Sequence, residues 1–379
     1  MKKSYLMIAA AAALLTACSS NDTFRDVDTQ DVEIGFGKSY IGKTTRAELT
    51  LDWFQTAGTT TTGNAFGVYA DKSGTDIFTN ERVYCSTATP DNPATTEVNE
   101  ALYVWSHPTV RFWDKGASDA YNFYAYAPYN STGTNPSFGS TGFTFTGLPI
   151  IAAISEDGAD KAIATPLRGK DYADFAAHNA HGVNAPTVDF TFNHILSKLG
   201  FKVKTDLPKT QVVFTVKSVT IDFPAASVTW AQDALTGTDG TTTYGTVTAY
   251  DATGHTTYTV FSGSQVVPSD ATGTTDNPTF YKFDNHYIVT PIGGTVTSHT
   301  FKITVVYDLE YAADHVTETN CTATGIIGNG TPAANVFAPE QNDYNIIVIN
   351  IHPETIEFCV ENVTSWDSET DVDPGIDVK

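Results

Sequence analysis

Cations are scarce in this sequence. Its 379 residues hold 21 Lys and Arg against 43 Asp and Glu, a formal charge of −22. Without the N-terminal leader described below, Lys2 and Lys3 are lost and the balance becomes 19 − 43 = −24. Nucleic acids and anionic lipids are bound by clustered Lys and Arg, so this composition argues against either as a partner and favours solubility outside the cell. Cysteine is equally sparse: after Cys18 only Cys85, Cys321 and Cys359 remain, far apart. An odd, scattered set builds neither a disulfide framework nor a CxxC zinc site, and buried free thiols are expected. The sequence also lacks GxSxG, a P-loop, a Rossmann fingerprint and HExxH. The acidic runs DVDTQD and DSETDVDPGID have neither the sixth-position Gly nor the closing Glu of a calcium loop, and read as solvated tails. Nothing asks for an enzyme or a cofactor. Helix signals are thin, with NHILSKLG, closed by Gly200, suggesting one short turn.

What is present begins with a targeting segment. Lys2 and Lys3 precede the apolar run YLMIAAAAALLTA, too short to span a bilayer comfortably, and a small residue, Ala17, precedes Cys18. Leu15-Thr16-Ala17-Cys18 resembles the bacterial lipobox, which implies cleavage between Ala17 and Cys18 and acylation of the Cys18 thiol. Two or three acyl chains, at about 0.8 kcal/mol per buried methylene, hold a protein firmly at a membrane.

Beyond the leader the pattern is that of strands. VEIGFG puts Val32, Ile34 and Phe36 on one face, and AELTLDW does the same with Leu49, Leu51 and Trp53. Further alternating runs include AFGVYA, ALYVW, VRFWD, YNFYAYAPY, GFTFTGL, VDFTF, GFKVKT, QVVFTVKSVTIDF, TTYTVF, NHYIVTP, FKITVVYDLEY and NDYNIIVINI, separated by turn clusters such as ATGTTDNP. Short strands with regular turn signals predict an all-β fold of antiparallel sandwiches. More than 330 residues after the leader exceed one comfortable core, so two domains are expected, divided at the loop-like AAHNAHGVNAPT. This gives an N-terminal sandwich over 47–186 and a C-terminal one over 187–379.

Several clusters invite a chemical reading. Asp171, Asp174, His178 and His181 have near-helical spacing suited to a metal, although such histidines are more often solvated bystanders. His194 follows an apolar run and reads as a hydrogen-bonded structural histidine. Trp105, Trp113, Tyr121, Tyr124, Tyr126 and Tyr129 suit either a sugar-stacking platform or sandwich core.

The order of a lipobox at Cys18, VEIGFG, TTRAELT, AFGVYA, YAYAPY, VDFTFNHILSKLGFKV and YNIIVINI resembles the fimbrillin family of Bacteroidetes, the Mfa-like and FimA-like pilins of type V pili. The lipobox followed by TRA and the FNHILSKL run carry most of the likeness; DYADFAAHNA departs from it, where a more apolar segment is expected. The resemblance implies two tandem transthyretin-like sandwiches exported as an outer-membrane lipoprotein. It implies cleavage between Arg46 and Ala47 by an Arg-specific, trypsin-like surface protease, which removes the lipidated segment 18–46 with its strand Val32–Gly37. A strand from a neighbour then fills the vacated groove, joining the subunit to other pilins, in a homopolymer or with anchor and tip subunits, in a surface fimbrium for adhesion. An Arg in a Thr-rich linker is where a protease can reach.

The C-terminal stretch contributes the other half of such an exchange. Ile346–Ile351 is apolar on both faces, as in a buried strand. After Pro353, Ile356, Phe358 and Val360 share one face opposite Glu357 and Cys359, as expected of a strand laid in a groove with one side wet. The segment from Ile356 to Trp366 is therefore the candidate donor strand, the alternative being that it closes its own sandwich. A surface-anchored glycan-binding lipoprotein is the other functional class compatible with this sequence.

Overall fold

The computed structural model describes residues 32–37, 40–41, 49, 51–89, 102–114, 120–155, 159–176, 186–233, 245–269, 280–291, 300–328, 337–352 and 355–363. Among these, helix is confined to Leu51–Gln55 and Tyr172–Ala176. The second helix starts with a reciprocal cap: Asp171 N–H donates to Asp174 Oδ2 and Asp174 N–H to Asp171 Oδ1, both at 3.0 Å. That pairing satisfies N–H groups that a helix start otherwise leaves open.

Two apolar cores organise the rest. The first gathers Ile34, Phe36, Leu49, Phe54, Phe66, Phe123, Phe190 and Phe192. Its sheet runs in the order Tyr40–Ile41, Thr191–His194, Ala162–Ala164, Tyr121–Ala127, Phe66–Lys72, Thr75–Thr89, Leu102–Ser106, with Leu167–Lys170 also on Tyr121–Ala127. Gly35–Phe36 and Thr187–Val188 form a separate pair against the same core.

The second core lies between two six-stranded sheets. One runs Ile356–Val363, Tyr344–Ile351, Ser197–Lys204, Tyr287–Val289, Ile151–Ala153, with Tyr281–Lys282 also on Ser197–Lys204. The other runs Val316–Ile327, Phe301–Tyr311, Val212–Gln232, Gly142–Pro149, Ser137–Gly139, with Gly245–Val266 also on Val212–Gln232. The strand Val212–Gln232 shows how sequence sets this. Val212, Phe214 and Val216 face inward; a register shift before Ser218 moves the inward set to Val219, Ile221 and Phe223; a second, at Ala225 and Ala226, returns it to Val228 and Trp230. At the first shift Lys217 is the extra residue against Phe301–Tyr311, and it flips the side chains that follow; at the second the extra residue lies in the partner strand Gly245–Val266, and the apolar pattern changes face there too.

Strand order does not follow chain order. Ser137–Gly139, Gly142–Pro149 and Ile151–Ala153 belong to the sheets of the second core, and the chain then returns to the first with Ala162–Ala164. Pairing is mostly antiparallel, but Gly35–Phe36 with Thr187–Val188, Tyr40–Ile41 with Thr191–His194, and Ser197–Lys204 with Tyr344–Ile351 are parallel.

Three local expectations are corrected. Where AELTLDW is described it does not form the expected strand: Leu51–Gln55 is helical, and Leu49 and Phe54 are buried at an odd separation that no single strand face supplies. NHILSKLG is not helical but runs through Thr191–His194 into Ser197–Lys204. Its one lysine, Lys198, mimics a polar helical face, yet Lys198 and the following Lys202 are buried with their ammonium groups 4.6 and 4.5 Å from the centres of the Tyr344 and Phe280 rings. VRFWD forms a single bridge, Phe112 with Glu33, rather than a strand. The three later cysteines are free; Cys85 is buried, whereas Cys321 and Cys359 are half-buried.

Candidate functional site

The N-terminal segment is inserted into the first core rather than laid over it. On one side Ile34 N–H donates to Arg111 O and Trp113 N–H to Val32 O, both at 2.8 Å; on the other Gly37 N–H donates to Val188 O at 3.0 Å. Gly35 and Phe36 pair in parallel with Thr187 and Val188. These ladders are short, so the side chains carry the seating. Ile34 and Phe36 are 0% and 4% exposed, while Glu33 points to solvent. The Phe36 ring meets Phe66, Phe78, His107 and Phe190 at centroid distances of 6.4, 5.7, 5.1 and 6.1 Å. At about 1.5–3 kcal/mol per buried apolar side chain, the two together contribute more than the backbone bonds at about 0.5–1.5 each. Gly37 passes where a Cβ would overlap Asp189 and Thr187, so this position takes only glycine without a shift of those side chains.

A polar cluster that the sequence did not reveal sits against this strand. His107, buried, places Nε2 3.0 Å from Ile34 O and Nδ1 3.7 Å from Glu81 Oε1, with Glu33 Oε1 3.8 Å from Nε2. Thr109 N–H donates to Glu81 Oε1 at 2.8 Å. Burial alone would lower the His107 pKa, but Glu81, the Ile34 carbonyl and Glu33 outweigh it and raise it. Burial alone would raise that of Glu81, but His107 and Thr109 hold it below the usual carboxylate range. Glu81 faces inward from the strand Thr75–Thr89, and that burial, which the sequence does not mark, demands a partner.

Downstream, the chain is anchored again at Leu49. Leu49 is 1% exposed and its N–H donates to Asp160 Oδ2 at 3.4 Å. Asp160 and His194 are both buried, and His194 Nδ1 lies 3.0 Å from Asp160 Oδ2, the structural role expected of that histidine. Arg46 and Ala47 lie outside the described residues, between the inserted strand and this anchor; Ala17, Cys18 and Arg25 lie outside them too.

The candidate donor strand is docked in the chain's own second sandwich. Ile356–Val363 pairs antiparallel with Tyr344–Ile351 at a sheet edge, with Ile351 opposite Ile356, Ile349 opposite Phe358 and Ile347 opposite Val360. Phe358 is buried against Gly325, where a Cβ would overlap its ring; Ile356 and Val360 are half-buried on the same core and Glu357 is exposed. Trp366 lies outside the described residues. This strand and the groove around Ile34 are not brought together within one chain.

The aromatic cluster is core. Trp113, Tyr121, Tyr124 and Tyr126 are buried, Trp105 and Tyr129 half-buried. Burial lifts the Tyr126 hydroxyl above its ordinary pKa, and it donates to Asn80 Oδ1 at 2.6 Å. A cleft of about 350 Å³ is lined by Tyr69, Asp71, Asp76, Tyr124 and Phe138, but Tyr69 and Phe138 stack on each other at 4.6 Å, which covers ring faces a sugar would need. Among the described residues no group of His, Cys, Asp and Glu is arranged to hold a metal; His178 and His181 lie outside them.

The architecture defined here is a nearly all-β protein of several sheets around two cores. Its structural neighbours are fimbrial and candidate cell-adhesion proteins of Bacteroidetes. A candidate cell-adhesion protein from Bacteroides uniformis is 18% identical with a TM-score of 0.46, covering 88% of this chain and 98% of its own. A fimbrial protein from Bacteroides vulgatus is 15% identical with a TM-score of 0.40, over 88% and 98%. The C-terminally truncated tip fimbrial protein Mfa3 from Porphyromonas gingivalis is 9% identical with a TM-score of 0.35, over 88% and 99%. No family model and no curated protein matches the chain.

Proposed function

We propose that this chain is a structural fimbrial subunit. It is exported as a lipoprotein acylated at Cys18, held at the outer membrane, cut between Arg46 and Ala47 by an Arg-specific protease, and joined to other subunits by strand exchange into a surface fimbrium for adhesion. The observation that supports this most directly is the inserted strand. Loss of residues 18–46 would withdraw Ile34 and Phe36 from the first core and free Arg111 O, Trp113 N–H and Val188 O along one slot. Such a slot, with apolar pockets and open backbone groups on both walls, suits an extended segment from another chain by β-augmentation. The edge position of Ile356–Val363 makes it the donor segment of this reading, continuing to Trp366: leaving its sheet opens one neighbour only, Tyr344–Ile351. The mature subunit is then two transthyretin-like sandwich domains, 47–186 and 187–379 by chain order, with Ser137–Ala153 lent to the second core and Thr187–His194 to the first, and other copies and anchor and tip subunits as partners. The glycan-binding alternative has no comparable support, because its aromatics are consumed by the core.

The test is Arg46→Ala. It blocks conversion to the shorter form and leaves monomers, whereas Arg25→Ala does not, because cutting at Arg25 leaves VEIGFG attached. N-terminal sequencing of assembled material that began at Asp26 or Cys18 would overturn the proposal.

A further inference from the structure

We propose that His107, backed by Glu81, is a latch on the strand groove: it fixes the register of the inserted strand by donating to the carbonyl of the residue seated in the Ile34 pocket, and its grip slackens when the imidazolium loses its proton. This deepens the strand-exchange reading and rests on it only for the groove's later occupant.

The argument is one of donors and acceptors. Nε2 faces the Ile34 carbonyl at 3.0 Å and Nδ1 faces the Glu81 carboxylate at 3.7 Å, and both are acceptors only. Nδ1 makes no hydrogen bond at that distance and meets Glu81 as an ion pair; the imidazolium donates to the Ile34 carbonyl and offers its charge to Glu81, whereas a neutral imidazole has one N–H and turns a lone pair toward one of the two acceptors. The charged groups against the ring are Glu81, from Thr75–Thr89, and Glu33, from the inserted strand itself; Phe36 and Phe78 form its apolar walls. Ile34 thus has both backbone groups engaged, its N–H by Arg111 O and its carbonyl by His107. A one-residue slip turns Ile34 and Phe36 out of their pockets. A two-residue slip in the direction that carries Ser39 to the Gly37 site brings a Cβ against Asp189 and Thr187. The raised His107 pKa agrees with the geometry, and its sign is fixed. Only the Ile34 carbonyl and Glu33 shares of that rise belong to docking, since Glu81 stays beside the ring in the empty groove; their contribution is complete below the empty-groove value and is lost as pH rises through the docked value. Glu81 lies on the groove wall, and its lowered pKa, set by His107 and Thr109, stabilises the body itself: that contribution is complete above 4.5 and lost as pH falls through the folded value.

Amide hydrogen exchange on the intact, uncleaved chain tests the latch without requiring maturation or assembly. Protection at Ile34 and Gly37, corrected for intrinsic exchange, is expected to fall as pH rises through the His107 titration, by about tenfold for each unit by which docking raises the His107 pKa. Amides of Phe301–Tyr311 in the second core serve as the reference and stay flat. In His107→Gln, which keeps a donor but has no proton to lose, the pH dependence disappears. A flat wild-type profile, or the same fall in His107→Gln, overturns the latch and leaves the pilin reading intact; failure of cleavage at Arg46 does the reverse. If His107→Gln loses protection at Phe301–Tyr311 as well, Glu81→Gln decides: the midpoint of the fall moves to lower pH if the latch holds, and an unmoved midpoint overturns it.

Discussion

Phe36→Ala isolates what keeps the N-terminal segment seated once the chain is cut. The ring is 4% exposed and touches three phenylalanines and His107, so its removal leaves a hole that neighbouring strands, themselves paired, cannot readily close. Phe→Ala at such a site costs about 3–5 kcal/mol. Since each 1.4 kcal/mol is about tenfold in an equilibrium constant, retention of the cut segment should fall by roughly two to three and a half decades. Limited digestion with an Arg-specific protease, followed by size-exclusion chromatography and mass spectrometry, reads this directly. The wild-type fragment carrying Val32–Gly37 co-elutes with the body and is released slowly, whereas the Phe36→Ala fragment separates at once. Release within about threefold of wild type would show that the Phe36 pocket does not hold the strand, and the side-chain argument for the groove would fail with it.

Three further outcomes follow from the same residues. Cys18→Ser leaves the precursor without lipid, because oxygen does not replace the thiol acceptor; labelled fatty acid entering the variant at wild-type levels would refute the anchor. Truncation after Glu354 removes the edge strand and Phe358 and, if that strand is the donor, yields a folded monomer that caps a fibre without extending it; an insoluble product would assign the strand to its own core. Asp160→Ala strips the partner from buried His194 and from Leu49 N–H, and urea unfolding should show a loss of about 3–5 kcal/mol, a loss under 1 marking the pair as dispensable.

The sequence was most legible where burial is one-sided. The alternation in VEIGFG is the alternation observed, Ile34 and Phe36 in and Glu33 out. FKITVVYDLEY and NDYNIIVINI contain the strands Phe301–Tyr311 and Tyr344–Ile351. It was least legible where polar side chains occupy strands. Val316–Ile327, rich in Thr, turns only Cys321, Ala323, Gly325 and Ile327 inward, so its hydrophobic signal is faint. Lys198 and Lys202 hide a doubly buried strand by lying over aromatic rings. The groove's polar cluster was invisible for a different reason. Glu81, His107 and Ile34 are distant in sequence, and nothing local marks a His whose two nitrogens will meet acceptors from two different segments.

The way the chain weaves between its cores has a mechanical consequence. It leaves the first core after Ala127, returns after Ala153 and leaves again after His194, so three covalent stretches span the seam. Tension that tries to part the cores is shared by those stretches. It must also shear Gly142–Pro149 out of its ladder with Val212–Gln232 and Ile151–Ala153 from Tyr287–Val289, breaking several bonds together rather than one at a time. If such units are joined by strand exchange, as proposed above, each joint rests on the seated strand alone, on Ile34, Phe36 or whatever replaces them, while parting the cores breaks all of these contacts together.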